Sequence, residues 1–262
     1  MNIIKHELKS NLKAFLIWMG ALFLVMAAAS TEYTAFTSNP DMLDLLDSFK
    51  SMFDALGIPL VDLGKPEGFL AMMSIYLYMP VSIYAAILGS SIISKEERDK
   101  TAEYLFTLPV SRQKVLASKI ITAFTFLVIF IITLLLIATI IFSRFGLEAT
   151  WYNFMFYMSI ALIFTGGIFM SIGMLLSSYL KQYKRSGGIV VILVVVTFML
   201  NILVGLVEEL DFLKYFIPFQ YFLVEDILNS KIQFIFIVLS FVIMIPSVFG
   251  TFYFYKKRDL YI

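Results

Sequence analysis

The chain of 262 residues is 60% hydrophobic and carries 20 Lys and Arg against 19 Asp and Glu, a formal net charge of +1. Soluble domains are about 45–50% apolar, so one soluble core cannot hide this surface, and so small a net charge gives no footing for nucleic acid. The absence of Cys and the presence of a single His, His6, exclude disulfides, thiolate chemistry, Cys/His metal sites and histidine catalysis beyond one residue.

The first segment is amphipathic. Ile4, Leu8 and Leu12 recur every four residues beside Lys5, Lys9 and Lys13, which on a helix places an apolar stripe next to a basic one. The spacing predicts an N-terminal interfacial helix in the headgroup plane, its lysines facing anionic membrane lipid. The plainer alternative is that it only extends the first span. His6 reads as an interfacial residue rather than a base.

A membrane helix needs about 20 mostly apolar residues, and six stretches qualify, near 14–33, 69–93, 117–142, 152–180, 186–207 and 232–255. Backbone groups in lipid must be satisfied internally, so such runs are helices. Lys5 to Lys13 followed by an apolar run and Ala27-Ala28-Ala29 imitates a secretory signal. The long basic region, and an apolar run that continues toward Tyr33, favour an uncleaved span. Fifteen of the Lys and Arg fall in the N-terminal segment, the second-to-third and fourth-to-fifth connections and the C-terminus; five (Lys50, Lys65, Arg144, Lys214 and Lys231) fall on the other side. The positive-inside rule then places both termini in the cytoplasm and the protein in the cell membrane.

The central parts of the six spans carry no charged residue. Glu32 lies at the outer end of the first, and Asn201 is the most polar residue deep in the fifth. A proton- or sodium-coupled carrier normally needs a buried carboxylate, and no paired Asp, H-E-x-x-H or Ser/His arrangement supports intramembrane hydrolysis. No phosphate-cradling P-loop occurs, so no ATP hydrolysis is expected on this chain. Ser82, Ala86 and Ser90 in the second span, and Gly167/Ser171 and Gly173/Ser177 in the fourth, have helix-packing spacing, which reads as packing within the chain or against a second subunit. Pro80 and Pro246 are expected to kink their spans.

The connection Ser94–Lys119 is too charged for the membrane. It opens with both signs between Lys95 and Lys100; Tyr104, Leu105 and Leu108 then form a short apolar helical face. Pro109 ends that helix, and Ser111 is placed to cap the next. Such a helix suits docking into a groove on a soluble partner; an ordinary solvated loop is the alternative.

This stretch resembles the coupling segment of ATP-binding-cassette (ABC) transporter permeases of the type-2 exporter superfamily: an acidic pair, then G-T-x-E-x-L-L-x-x-P-V-S-R and a Lys opening the next span. Glu96, Glu97, Thr101, Glu103, Leu105, Leu108, Pro109, Val110, Ser111, Arg112 and Lys119 match; Lys100 replaces the usual Gly and Phe106 the usual Leu. Three further features are similar to that family. They are the amphipathic start, an outer segment Asp41–Gly68 whose Leu43, Leu46, Phe49, Phe53 and Leu56 suggest an amphipathic helix, and Pro218, Phe219, Tyr221 and Phe222 before the last span. That last run reads by itself as an interfacial aromatic belt; the resemblance implies a partly re-entrant hairpin.

The expectation is an all-α membrane protein, one permease domain over 1–262, with a cytoplasmic coupling helix. The resemblance implies a membrane subunit of an ATP-driven exporter. Glu96, Glu97, Thr101, Glu103, Tyr104, Leu105, Leu108, Pro109, Ser111 and Arg112 would couple to soluble ABC ATPase subunits, which would hold the ATP and Mg. The chain itself carries no cofactor, metal or catalytic residue in this reading. A second permease, identical or paralogous, completes the pathway. The uncharged spans favour hydrophobic or amphipathic cargo, such as a peptide antibiotic or lipid-like molecule. The alternatives are a membrane scaffold or sensor without transport, and an ATP-independent carrier.

Overall fold

The computed structural model describes residues 2–39, 64–98, 111–180 and 183–257, which form helices and connecting turns with no strand among them. The helices are α1 (Asn2–Ser38), α2 (Pro66–Met72), α3 (Ile75–Arg98), α4 (Arg112–Phe142), α5 (Ala149–Tyr179), α6 (Tyr183–Leu206), α7 (Val224–Leu228) and α8 (Phe234–Lys257), with 3-10 turns at Ser143–Phe145, Glu208–Phe216 and Pro218–Gln220. Six of them, α1, α3, α4, α5, α6 and α8, are long and apolar enough to cross a membrane. Hydroxyls inside these helices mostly donate back to their own backbone, as Thr139 does to Leu135 O and Thr251 to Ser247 O, both at 2.8 Å. They therefore need no partner from the lipid side.

Two boundaries depart from the sequence reading. The amphipathic start and the first span are one unbroken helix, α1; no Gly or Pro interrupts 2–19. The stretch expected near 69–93 is divided: α2 ends at Met72 and α3 begins at Ile75. Tight bonds from Ser74 N–H to Ala71 O and from Leu77 N–H to Ser74 O close that corner. No local breaker causes it. Phe69 is fully buried, with ring centroids 5.3 Å from Tyr33 and 5.6 Å from Phe36, so tertiary packing holds α2 apart. Of the outer helix expected over Asp41–Gly68, residues 41–63 lie outside the described residues. Pro80 and Pro246 lie inside α3 and α8, which continue through them.

The bundle is organised around α5, which packs on α3, α8, α4 and α6, while α1 packs on α4. The α3–α5 pair is in backbone contact. A Cβ on Gly173 would lie 2.6 Å from Ala86 O, so the small residues seen in the sequence serve packing within the chain. Met170 lies against Gly89 on the same seam. At the far end of α4, Gly146 takes a left-handed φ of 72° and turns the chain into α5.

Candidate functional site

One end of the bundle is held by charge. Glu7 on α1, Lys95 on the last turns of α3 and Lys119 inside α4 are 3%, 9% and 0% exposed. Lys95 Nζ lies 3.2 Å from Glu7 Oε2, and Lys119 Nζ lies 3.7 Å from Glu7 Oε1. Lys119 Nζ also donates to Ile92 O at 2.6 Å. One carboxylate thus uses both oxygens to bridge two ammonium groups from two other helices. A buried ammonium is tolerated only when paired and hydrogen-bonded, so the three side chains depend on one another.

The position of this triad gives it meaning. Lys95 stands where the chain leaves the bundle, shortly before Arg98 ends α3, and Lys119 where it has returned through α4. Both roots of the 95–119 connection are therefore gripped by one residue of α1. The neighbouring layer reinforces the grip with rings. Phe15 of α1 lies 5.9 Å from Phe126 and 6.0 Å from Phe130 of α4, and Phe130 stacks on Tyr84 of α3 at 3.9 Å and 9°. At the same end Ser90 of α3 and Ser186 of α6 share a hydrogen bond of 2.9 Å.

Of the residues read from the sequence as coupling, Ser111 caps α4, its hydroxyl accepting from Lys114 N–H at 3.3 Å. Arg112 opens α4 and is exposed. Glu96 and Glu97 lie on the last turn of α3, with Glu97 partly buried. Thr101, Glu103, Tyr104, Leu105, Leu108 and Pro109 lie outside the described residues. No local pattern marks Glu7, and in the sequence Lys119 marks only the mouth of a span. A signal for Lys119 existed: it shares the 3.6-residue register of Leu116, Ala123, Phe126 and Leu127, all buried.

The opposite end is held by rings. Tyr33, Phe69, Phe142, Phe145 and Trp151, from α1, α2, α4, its 3-10 turn and α5, have neighbouring centroids 4.7–5.8 Å apart along the chain of contacts Phe69–Tyr33–Phe145–Phe142–Trp151. Tyr33 donates to Gly64 O at 2.6 Å, and Thr150 to the buried Glu67 at 2.5 Å.

The aromatic run before α8 does not form an outward belt. Phe219, Tyr221 and Phe222 are all buried. Phe222 stacks beside Phe164 of α5 (5.8 Å, 22°), Phe219 meets Phe198 of α6 edge-on (5.6 Å, 85°) and Tyr221 stacks on Phe236 (5.1 Å, 15°). Tyr78 of α3 donates to Phe222 O at 2.8 Å, and burial raises the Tyr221 hydroxyl above its ordinary pKa, keeping it a donor to Tyr215 O. Between this run, α3 and α6 lies a pocket of about 120 Å³.

Such a bundle, six membrane-length helices with a charged connection rooted in a buried ion triad, defines a multi-pass membrane protein. The chain belongs to the ABC-2 family of transporter proteins, whose family model matches residues 1–260. It is accordingly a membrane subunit of an ABC transporter, a family that implies association with ABC ATPase subunits. Comparison with curated proteins gives no match.

Proposed function

We propose that the protein is the membrane half of an ATP-driven exporter, with the ATPase on separate soluble subunits that dock on 96–112 from the cytoplasm. ATP and Mg sit on those subunits. Both termini are cytoplasmic, as the Lys and Arg distribution supports, in the cell membrane. The observation that carries the coupling reading is the shared carboxylate of Glu7, which joins the outgoing and returning roots of the docking connection.

The mechanism follows from that geometry. ATPase closure displaces the connection. Because Lys95 and Lys119 hold one carboxylate, neither root moves without drawing on α1. The Phe15–Phe130–Tyr84 ring layer passes the displacement along the bundle as a rigid-body motion of packed helices. A second permease, identical or paralogous, and membrane lipid share the faces this chain leaves open: 11% of the most apolar window of α6 and 22% of that of α8 are buried within the chain. The cargo is hydrophobic or amphipathic, which the uncharged lining of the pocket supports.

The test has two arms in membranes of the native host. Mild solubilisation and pull-down should recover a soluble P-loop ATPase, lost when Glu103 and Leu105 are replaced. In reconstituted vesicles Glu7→Gln should retain the ATPase yet lose most ATP-dependent transport. Recovery of no ATPase under several mild detergents sinks the reading in favour of a non-transporting scaffold. Normal transport by Glu7→Gln sinks the assignment of the triad.

A further inference from the structure

The last turns of α8 carry a basic rim beneath an apolar groove. Lys256 and Lys257 are both exposed; Lys257 Nζ donates to the Tyr253 hydroxyl at 2.5 Å and lies 4.2 Å from the centre of that ring. Higher on the helix, α4 and α8 border a groove of about 220 Å³ lined by Phe124, Phe241, Met244, Ile245, Val248 and Phe249. Lys256 follows Phe249 by nearly two full turns, about 10 Å along the axis, so it stands on the same face directly below. This is the end of the bundle that holds the triad, since Leu175 of α5 lies against Gly250 and Gly173 of α5 against Ser90 of α3. Tyr179, which ends α5 and is exposed, meets Phe254 at 5.0 Å, so the exposed phenols of Tyr179 and Tyr253 mark one level. None of α4, α5 and α8 contains an acidic residue.

We infer that the groove and the rim together are a binding site for an anionic phospholipid of the adjacent leaflet, its phosphate held by Lys256, Lys257 and the Tyr253 hydroxyl and part of one acyl chain held between α4 and α8. Each part has its own observation. The level follows from the tyrosines, which favour the membrane–water interface. The headgroup layer is about 5–8 Å deep, so a groove about 10 Å above Lys256 opens just inside the hydrocarbon. The chain follows from the lining, which is wholly apolar, and from volume: a cavity of about 150 Å³ takes the six carbons of benzene, so this groove takes roughly half an acyl chain. The anion follows from charge. Two ammonium groups on flexible stems reach the headgroup layer, and no carboxylate on the three helices competes for them. Tyr253 accepts from Lys257, so its own proton is free to donate to a phosphate oxygen. The same bond holds the Lys257 ammonium at the rim before a lipid arrives.

The inference requires the membrane and the charge of its lipids and nothing of transport, so it stands whether or not the chain exports anything.

The experiment uses the purified full chain in nanodiscs of phosphatidylcholine mixed with phosphatidylglycerol. The chain has no Cys, so Ile245→Cys gives a single thiol for a fluorophore at the exposed edge of the groove. Bromine on the acyl chains of one lipid or the other then reports, by quenching, which lipid occupies the groove. Phosphatidylglycerol should be preferred at Ile245, by about fivefold for each lysine. Lys256→Gln combined with Lys257→Gln should bring that preference close to one while brominated phosphatidylcholine still quenches, which shows that the groove persists. The same label at Leu136→Cys, on the exposed side of α4, should show no preference. Four results overturn the proposal: equal quenching by the two lipids at Ile245, an equal preference at Leu136, a preference that survives loss of both lysines, or quenching by neither lipid, which would mean that protein covers the groove.

Discussion

The two ends of the bundle are fastened by different chemistry. At one end a single carboxylate joins three helices through two buried ammonium groups; at the other, five rings and a few hydroxyls join four helices and a 3-10 turn. Ring packing is distributed, so each contact contributes a fraction and the loss of one leaves the rest. Buried charge is concentrated. Its parts offset one another's desolvation, and removal of one exposes the cost of the others. An end that must hold its shape is well served by rings, and an end that must register a displacement by a small set of directional contacts.

The largest effect should come from the charged end. Glu7→Gln changes almost no volume, yet it should destabilise the solubilised protein by about 3–5 kcal/mol, because Lys95 and Lys119 both lose the carboxylate they share. Thermal or denaturant unfolding in detergent reads this. Glu7→Asp, which keeps the negative charge, should lose less. A loss below about 1 kcal/mol for Glu7→Gln would put the triad on a par with exposed pairs and erase the contrast between the ends. A matched minimal change at the aromatic end, Tyr33→Phe, removes the bond to Gly64 O and should cost about 1 kcal/mol by the same unfolding measurement. Lys65→Ala should be smallest. Its partner Glu148 is 3.5 Å away and both side chains are largely exposed, so the change should stay within about 0.5 kcal/mol.

The unequal legibility of these regions has physical causes. The six spans were readable because lipid imposes length and apolarity on each helix separately. The cap at Ser111 and the small-residue spacing that includes Ala86 and Gly173 were readable because both are local, whereas the pairing of those two residues across α3 and α5 was not. Glu7 was hidden by its position, since it belongs to neither the Ile4–Leu8–Leu12 stripe nor the Lys5–Lys9–Lys13 stripe. Its burial depends on α1 meeting α3 and α4, which no local pattern states. The corner at Met73–Ser74 has the same origin, with Phe69 drawn into a ring cluster supplied by distant residues. Asn201 stood out as polar in an apolar span, but its pocket is completed by Phe219, Gln220 and Phe222 from the far side of a turn. The coupling residues Thr101 to Pro109 rest on the resemblance and the family alone.

The glycine contact between α3 and α5 has a mechanical consequence. Two helices whose backbones touch at Gly89–Met170 and Gly173–Ala86 have no gap through which to slide, so they form a single strut. A separate packed pair is α1 with α4. The outgoing root at Lys95 belongs to the strut and the returning root at Lys119 to the other pair, so the bonds Glu7–Lys95 and Lys119–Ile92 O cross the seam between them. They form a clasp between two plates, placed at the roots of the 95–119 connection. Spin labels within the α3–α5 strut should keep a fixed separation through a nucleotide cycle, while labels placed across the clasp should not.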